Sequence, residues 1–204
     1  MGNRTNSSRE RILSSAEAII LEKGFSATSI EDIINKAAIT KGGFFYHFES
    51  KPGLAEALID RYLRQDDEIF DDLWQQASAL SEDPLHQFLI FLKLLAEMML
   101  RMETTHPGCL VASFTYEGLL SHPSIQRGMR AGVEAWRDMI IEKLEQIDAR
   151  YERQSDMDTE VLANMFTGVV EGGILLARNF DDNRILADQI LAYRGYIRML
   201  YGAN

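Results

Sequence analysis

Apolar residues recur along this chain at three- and four-residue intervals, and no stretch alternates with the strict period of a half-buried strand. Ile12, Ala16, Ile19 and Ile20 form one such apolar face. Ahead of it, Ser7 and Glu10 have the S-x-x-E spacing of a capping box, which predicts a helix start at Ser7. Gly24 ends that helix, because glycine accepts the left-handed conformation common just past a helix. Thr28 and Glu31 repeat the capping-box spacing before Ile30, Ile33, Ile34 and Ala37. Thr40 is expected to cap a further short helix carrying Phe44, Phe45 and Phe48. Ser50-Lys51-Pro52 restarts the chain, with proline in a first turn where its missing N–H costs little. Six more helices are predicted, at about 54–79, 81–102, 109–120, 123–152, 158–179 and 183–201. The fold expected is all-α with about nine helices.

Composition narrows the class. The 204 residues are 46% hydrophobic and 25% charged, as in an ordinary globular protein. Uninterrupted apolar runs such as 89–92 and 174–177 are far too short to cross a bilayer. The polar start MGNRTNSSRER is followed by no signal-peptide core, so a cytoplasmic location and no membrane partner are expected. The single cysteine, Cys109, excludes an intramolecular disulfide framework.

A net charge of −10 and a pI near 4.9 speak against nucleic acid as a partner. The distribution of that charge reverses the inference. Residues 1–53 hold seven basic and six acidic side chains, a balance of +1, and the remainder carries −11. Only the N-terminal segment can approach a polyanion. The chain therefore divides into a domain at 1–53 and a helical domain at 54–204.

Three short helices, the last two joined by a tight turn, follow the plan of a helix-turn-helix unit, whose second helix enters the DNA major groove. The stretch Thr28-Ser29-Ile30-Glu31-Asp32-Ile33-Ile34-Asn35-Lys36-Ala37-Ala38-Ile39-Thr40-Lys41-Gly42-Gly43-Phe44-Phe45-Tyr46-His47-Phe48 resembles the DNA-binding region of TetR-family transcriptional repressors. Matches to that pattern include Thr28, Ile33, Ala37, Thr40, Gly42, His47, Phe48 and Lys51, within a resemblance that covers about residues 9–54. Two departures stand out. Ala38 occupies the usual turn-glycine position, so the turn must avoid a left-handed conformation there or tolerate strain. Phe45 replaces a tyrosine whose hydroxyl usually reaches phosphate, and Tyr46 offers a neighbouring hydroxyl.

The resemblance implies a DNA interface drawn from Thr28, Ser29, Thr40, Lys41, Gly42, Gly43, Phe45, Tyr46, His47 and Lys51. Lys41 would read a guanine edge or pair with phosphate, and Lys51 would add charge at the start of the next helix. Gly42 and Gly43 each weaken a helix by roughly 1 kcal/mol relative to alanine. Close approach of the backbone to the groove floor explains their presence.

By the same resemblance, the remainder would bind a small molecule and dimerise. Phe88, Leu92, Leu95, Met99, Met102, Trp136 and Met139 crowd two helices as candidate pocket walls, with Cys109, Phe114, Glu117 and Glu171 as further lining. The resemblance implies a four-helix dimer interface from the last two helices, using Met165, Gly168, Val169, Gly172, Leu176, Tyr193, Ile197 and Leu200. A buried helix pair inside one subunit is the competing reading. The expected partners are a palindromic double-stranded operator, a small-molecule effector and a second copy of the chain. No cofactor or metal is expected, and His106 with Cys109 alone makes a weak metal pair. Two other regulators remain open: one sensing oxidants or electrophiles through Cys109, and one controlled by a protein partner. An enzyme is disfavoured, because the four histidines are scattered and no nucleophile or phosphate-cradling motif appears.

Overall fold

In the computed structural model, residues 2–117 and 122–202 are described. Among them the chain forms nine α-helices and no strand. They are α1 (Gly2–Lys23), α2 (Ile30–Ala37), α3 (Lys41–His47), α4 (Lys51–Leu80), α5 (Pro84–Leu100), α6 (Leu110–Tyr116), α7 (Pro123–Asp148), α8 (Thr159–Phe180) and α9 (Asn183–Leu200).

Local chemistry sets most boundaries. The Asp83 carboxylate caps α5 by accepting the His86 N–H at 3.0 Å, with Pro84 in the first turn. Gly24 follows α1 with φ +89°, the left-handed stop expected of it. Three expectations need correction. Helix α1 already runs from Gly2, so Ser7 lies inside it and not at its start. The capping box of α2 sits one residue late: Ser29 Oγ accepts the Asp32 N–H at 3.0 Å, and the Asp32 carboxylate accepts the Ser29 N–H at 2.9 Å. Thr28 is displaced from that role because its hydroxyl, 1% exposed, donates to the Gly24 carbonyl at 2.6 Å. The helix expected at 109–120 ends at Tyr116, and residues 118–120 lie outside the described ones.

The chain forms two compact units, residues 1–65 with 107–132 and residues 66–106 with 133–204. The first therefore extends past the expected division at 53/54, taking in half of α4, all of α6 and the start of α7. Its core joins Ile12, Leu13 and Ala16 of α1 to Ile33, Phe44, Leu54, Leu58 and Phe114, all 0–1% exposed. Arg61 ties α4 to α1: its guanidinium lies 2.6 Å from Glu10, 2.7 Å from Glu17 and 2.9 Å from the Ser14 hydroxyl.

In the second unit α9 packs against α5 and α8. Gly173 permits the α8–α9 approach, since a Cβ there would lie 2.7 Å from Leu186 Cδ1 and 3.2 Å from its Cα. Gly168 and Gly172, expected to allow close helix contact, face open space within this chain. Tyr193, Ile197 and Leu200, expected at a dimer interface, are 1%, 0% and 4% exposed within their own unit. The Tyr193 hydroxyl donates to the Leu162 carbonyl at 3.0 Å. For these three the competing reading, a buried helix pair, is the observed one. Helix α8 is long and apolar enough by composition to span a bilayer, yet Leu162, Ala163, Phe166, Ile174 and Ala177 are buried in this unit.

Candidate nucleic-acid interface

Helix α3 is short, and its side chains divide cleanly by register. Phe44 is fully buried, with Phe45 edge-on at 5.4 Å and Phe48 tilted at 5.9 Å between ring centroids. That anchor turns Lys41, Gly42, Phe45 and Tyr46 outward, Tyr46 being 73% exposed. Thr40 caps the helix by accepting the Gly43 N–H at 3.1 Å. Beyond Gly42 an added Cβ would meet nothing within 4 Å, so the backbone itself is open to a partner there.

The turn into α3 carries strain. Ala38 adopts φ 51°, ψ 52°, the left-handed conformation that glycine usually fills. Its N–H bonds to the Asn35 carbonyl at 3.3 Å, and the Ile39 N–H to Ile34 at 3.2 Å, which closes α2 and aims α3. At the start of α2, the Asp32 carboxyl is held well below the usual carboxylate range, first by the Lys23 ammonium at 2.9 Å and then by the Ser29 bonds. Ser29 remains exposed while serving as the cap.

Two residues named for the interface lie elsewhere in function. Thr28 is buried as described above. Lys51 donates from Nζ to the Phe25 carbonyl at 2.5 Å, and its ammonium stands 4.2 Å from the centroid of the Phe25 ring. Burial lowers its pKa, with the nearby Glu117 charge opposing. Lys51 thus holds the turn between α1 and α2 and is not a free phosphate ligand. Conversely, Ser8 and Arg11 of α1, absent from the sequence-based interface, border a 380 Å³ cleft together with Thr40, Gly43, Tyr46 and His47. Arg11, a basic residue outside the apolar face of Ile12 and Ala16, was the available signal.

The expected pocket residues separate between the two units. Phe114 is fully buried in the first, edge-on to Phe25 at 5.3 Å. The Glu117 carboxylate accepts the N–H groups of Phe25 and Ser26, each at 2.6 Å. Both are therefore committed to packing α6 against the α1–α2 turn, which overturns their pocket assignment. Cys109 caps α6, its Sγ accepting the Ala112 N–H at 3.4 Å. In the second unit Phe88, Leu92, Leu95 and Met99 are buried, while Met102, Trp136, Met139 and Glu171 are half-buried. Trp74, not anticipated, stacks on Phe91 at 4.2 Å and Phe88 at 5.8 Å and donates to Met139 Sδ at 3.3 Å. Its indole fills the space beside the aromatic wall of α5.

Of the expected dimer residues on α8, Gly168 and Leu176 are exposed and Met165, Val169 and Gly172 half-buried. Leu175, next to them, is 62% exposed, and α9 leaves Leu191 and Met199 exposed.

Comparison with known proteins agrees with this arrangement. A family model described as bacterial regulatory proteins of the tetR family matches residues 12–58. A second, described as the tetracyclin repressor-like C-terminal domain, matches residues 91–192. The transcriptional regulator AcuR of Cereibacter sphaeroides is 30% identical over 161 residues, covering 78% of this chain and 71% of that protein. The transcriptional repressor DhaR of a Mycobacterium species is 25% identical over 191 residues, covering 90% and 88%. Among solved structures, a TetR-family regulator from Agrobacterium tumefaciens superposes with a TM-score of 0.79 at 22% identity, covering 94% of this chain and 98% of that one. A TetR regulator from Chloroflexus aurantiacus gives 0.77 at 26% identity, covering 95% and 96%. With its helix-turn-helix at the N-terminus and its helical C-terminal domain, this chain belongs to the TetR family and is a DNA-binding transcriptional regulator.

Proposed function

We propose that the protein is a repressor that binds a near-palindromic operator as a homodimer and leaves it when a small apolar effector binds the C-terminal domain. The observation that carries the dimer is the exposed apolar face of α8 and α9. Leu175 and Leu176 are exposed on α8 together with Gly168 and Gly172, whose Cβ positions are open, and Leu191 and Met199 are exposed on α9. A second copy covering that face by two-fold symmetry would set two α3 helices one DNA turn apart, about 34–36 Å. Within each copy Lys41, Phe45 and Tyr46 enter the major groove, and Ser29, Thr40, Gly42, Gly43 and His47 border it. DhaR, similar over most of this chain, carries the description of a repressor, which supports that sign of regulation.

The half-buried Met102, Trp136 and Met139 support an apolar effector, since thioethers and indole adapt to varied apolar shapes. The test pairs two measurements on one protein. A duplex selected by the chain from a random pool is used for binding, and a panel of small apolar compounds for thermal shift. A compound that raises the melting temperature and releases the duplex is the expected result. Stabilisation with no release by any compound would remove the effector part of the reading.

A further inference from the structure

The six basic side chains of residues 8–53 are not equivalent once folded. Lys23 pairs with Asp32, Lys51 is bound to the Phe25 carbonyl, and the Arg9 guanidinium lies 5.4 Å from the Phe48 ring centroid. Arg11, Lys36 and Lys41 are exposed and form no ion pair among the described residues. Lys41 belongs to α3 itself. Arg11 and Lys36 belong to neither the recognition helix nor its cap, and they share a site.

A cleft of 460 Å³ lies between α1 and α2, lined by Glu10, Arg11, Ser14 and Ser15 on one side and Lys36 and Ala37 on the other. Arg11 also borders the 380 Å³ cleft beside Thr40, Gly43, Tyr46 and His47. Arg11 therefore borders both clefts, one beside α3 and one beside the end of α2. Glu10, the one acid in the lining, stands 2.6 Å from Arg61, whose single charge it shares with Glu17, and the two cations of the lining outweigh it. What remains is a concave, net-positive band on a protein whose residues beyond 53 carry −11. Lys36 has a local reason to be where it is, the C-terminal dipole of α2. Arg11, in the middle of α1, has none.

We infer that Arg11 and Lys36 grip adjoining phosphates of one DNA strand at the edge of the groove that α3 occupies. This rests on α3 being the groove-reading helix. A duplex whose major groove receives Lys41, Phe45 and Tyr46 must carry a sugar–phosphate backbone along each edge of α3. On the edge facing α1, that backbone meets this band. A guanidinium suits a phosphodiester through paired N–H donors, and an ammonium adds a point charge. Such contacts hold the protein in register without reading bases.

Removing one cation from a phosphate lowers the dependence of log K on log salt by about one unit. Arg11→Ala and Lys36→Ala are therefore expected to lower that slope by about one each, and the double variant by about two. The slope is measured on the duplex selected by the wild-type protein and on an unrelated duplex, and the decrease is the same on both. Arg11→Lys keeps the slope. Lys93→Ala, which removes a cation paired with Glu97 on α5, controls for net charge and leaves the slope unchanged. Circular dichroism confirms the fold of every variant.

Unchanged slopes in Arg11→Ala and Lys36→Ala overturn the inference while leaving α3 as the reading helix. A drop in Lys93→Ala equal to that in Arg11→Ala overturns it equally, by assigning the effect to net charge. Failure of the wild-type protein to bind any duplex would instead remove the α3 reading on which the inference stands.

Discussion

The Glu117 carboxylate, at the C-terminal cap of α6, accepts the Phe25 N–H at 2.6 Å across 92 residues of sequence. Its second oxygen accepts the Ser26 N–H at 2.6 Å, and Lys51 binds the Phe25 carbonyl from the other side. The turn that leads into the helix-turn-helix is thus held by two charged residues from outside it. Gly24 makes room, for a Cβ there would lie 2.7 Å from Glu117 Oε1.

Glu117→Gln leaves one of the two N–H groups without an acceptor and should cost about 2 kcal/mol. The pH dependence has a definite sign. Burial alone would raise the Glu117 pKa, but the Ser26 and Phe25 N–H groups outweigh it and hold the carboxyl below its ordinary value of 4.5. Its contribution is complete above the unfolded value and fades as pH falls through the lower folded one. Urea unfolding of both proteins should show the difference at neutral pH and convergence in acid. A difference that grows in acid would contradict this role.

Lys51→Met should lower stability by about 1 kcal/mol, because both the hydrogen bond and the attraction between ammonium and ring disappear. The salt slope of DNA binding should stay as in the wild type, because the ammonium is committed to Phe25. A slope lower by one unit would return Lys51 to the phosphate contacts.

At Ala38 the left-handed backbone costs on the order of 1 kcal/mol, which glycine would avoid. Glycine also frees the unfolded chain, at a cost of ~0.4–1 kcal/mol. Ala38→Gly is therefore expected to gain ~0.5 kcal/mol at most, seen as a small rise in melting temperature. A clear loss of stability would mean that the methyl group contributes packing that offsets its strain.

The paired substitution Gly172→Glu with Leu176→Glu places charge on the exposed face of α8, where it disturbs little inside the chain. Light scattering should report a monomer with unchanged helicity. Operator affinity should fall steeply, since a single head engages half a palindrome. A dimer that survives both charges would move the interface elsewhere.

Replacing Arg61 by methionine removes the cation shared by Glu10, Glu17 and Ser14. Glu17, whose pKa burial already raises against the pull of Arg61, would be left half-buried without its partner. A loss of about 2 kcal/mol is expected, reduced from the fully buried case by solvent screening. Thermal unfolding should show it with DNA specificity intact, because Arg61 lies on α4 and not in α3.

Much of this was readable in the order of residues. The helices follow from apolar spacing, Gly24 from its freedom at φ +89°, and the cap at Thr40 from its hydroxyl three residues before Gly43. These are interactions within one turn of chain, so the sequence carries both partners side by side. The one-residue slip at the start of α2 shows the limit. Thr28-x-x-Glu31 and Ser29-x-x-Asp32 are both plausible boxes, and burial of Thr28 against Gly24 decides between them.

Tertiary structure alone decided which charged and apolar groups remained available. Lys51 and Arg11 are equally basic in the sequence, yet a distant carbonyl engages one and the other is left exposed. Glu117 looked like a polar wall for a ligand until the fold brought it to Phe25. Tyr193, Ile197 and Leu200 share one face of α9 with the periodicity of either an interface or a core, and packing against α5 and α8 made them core. The physical reason is common to all of them. Local patterning determines that a side chain points inward or outward from its helix, whereas its partner is set by chain brought close from far along the sequence.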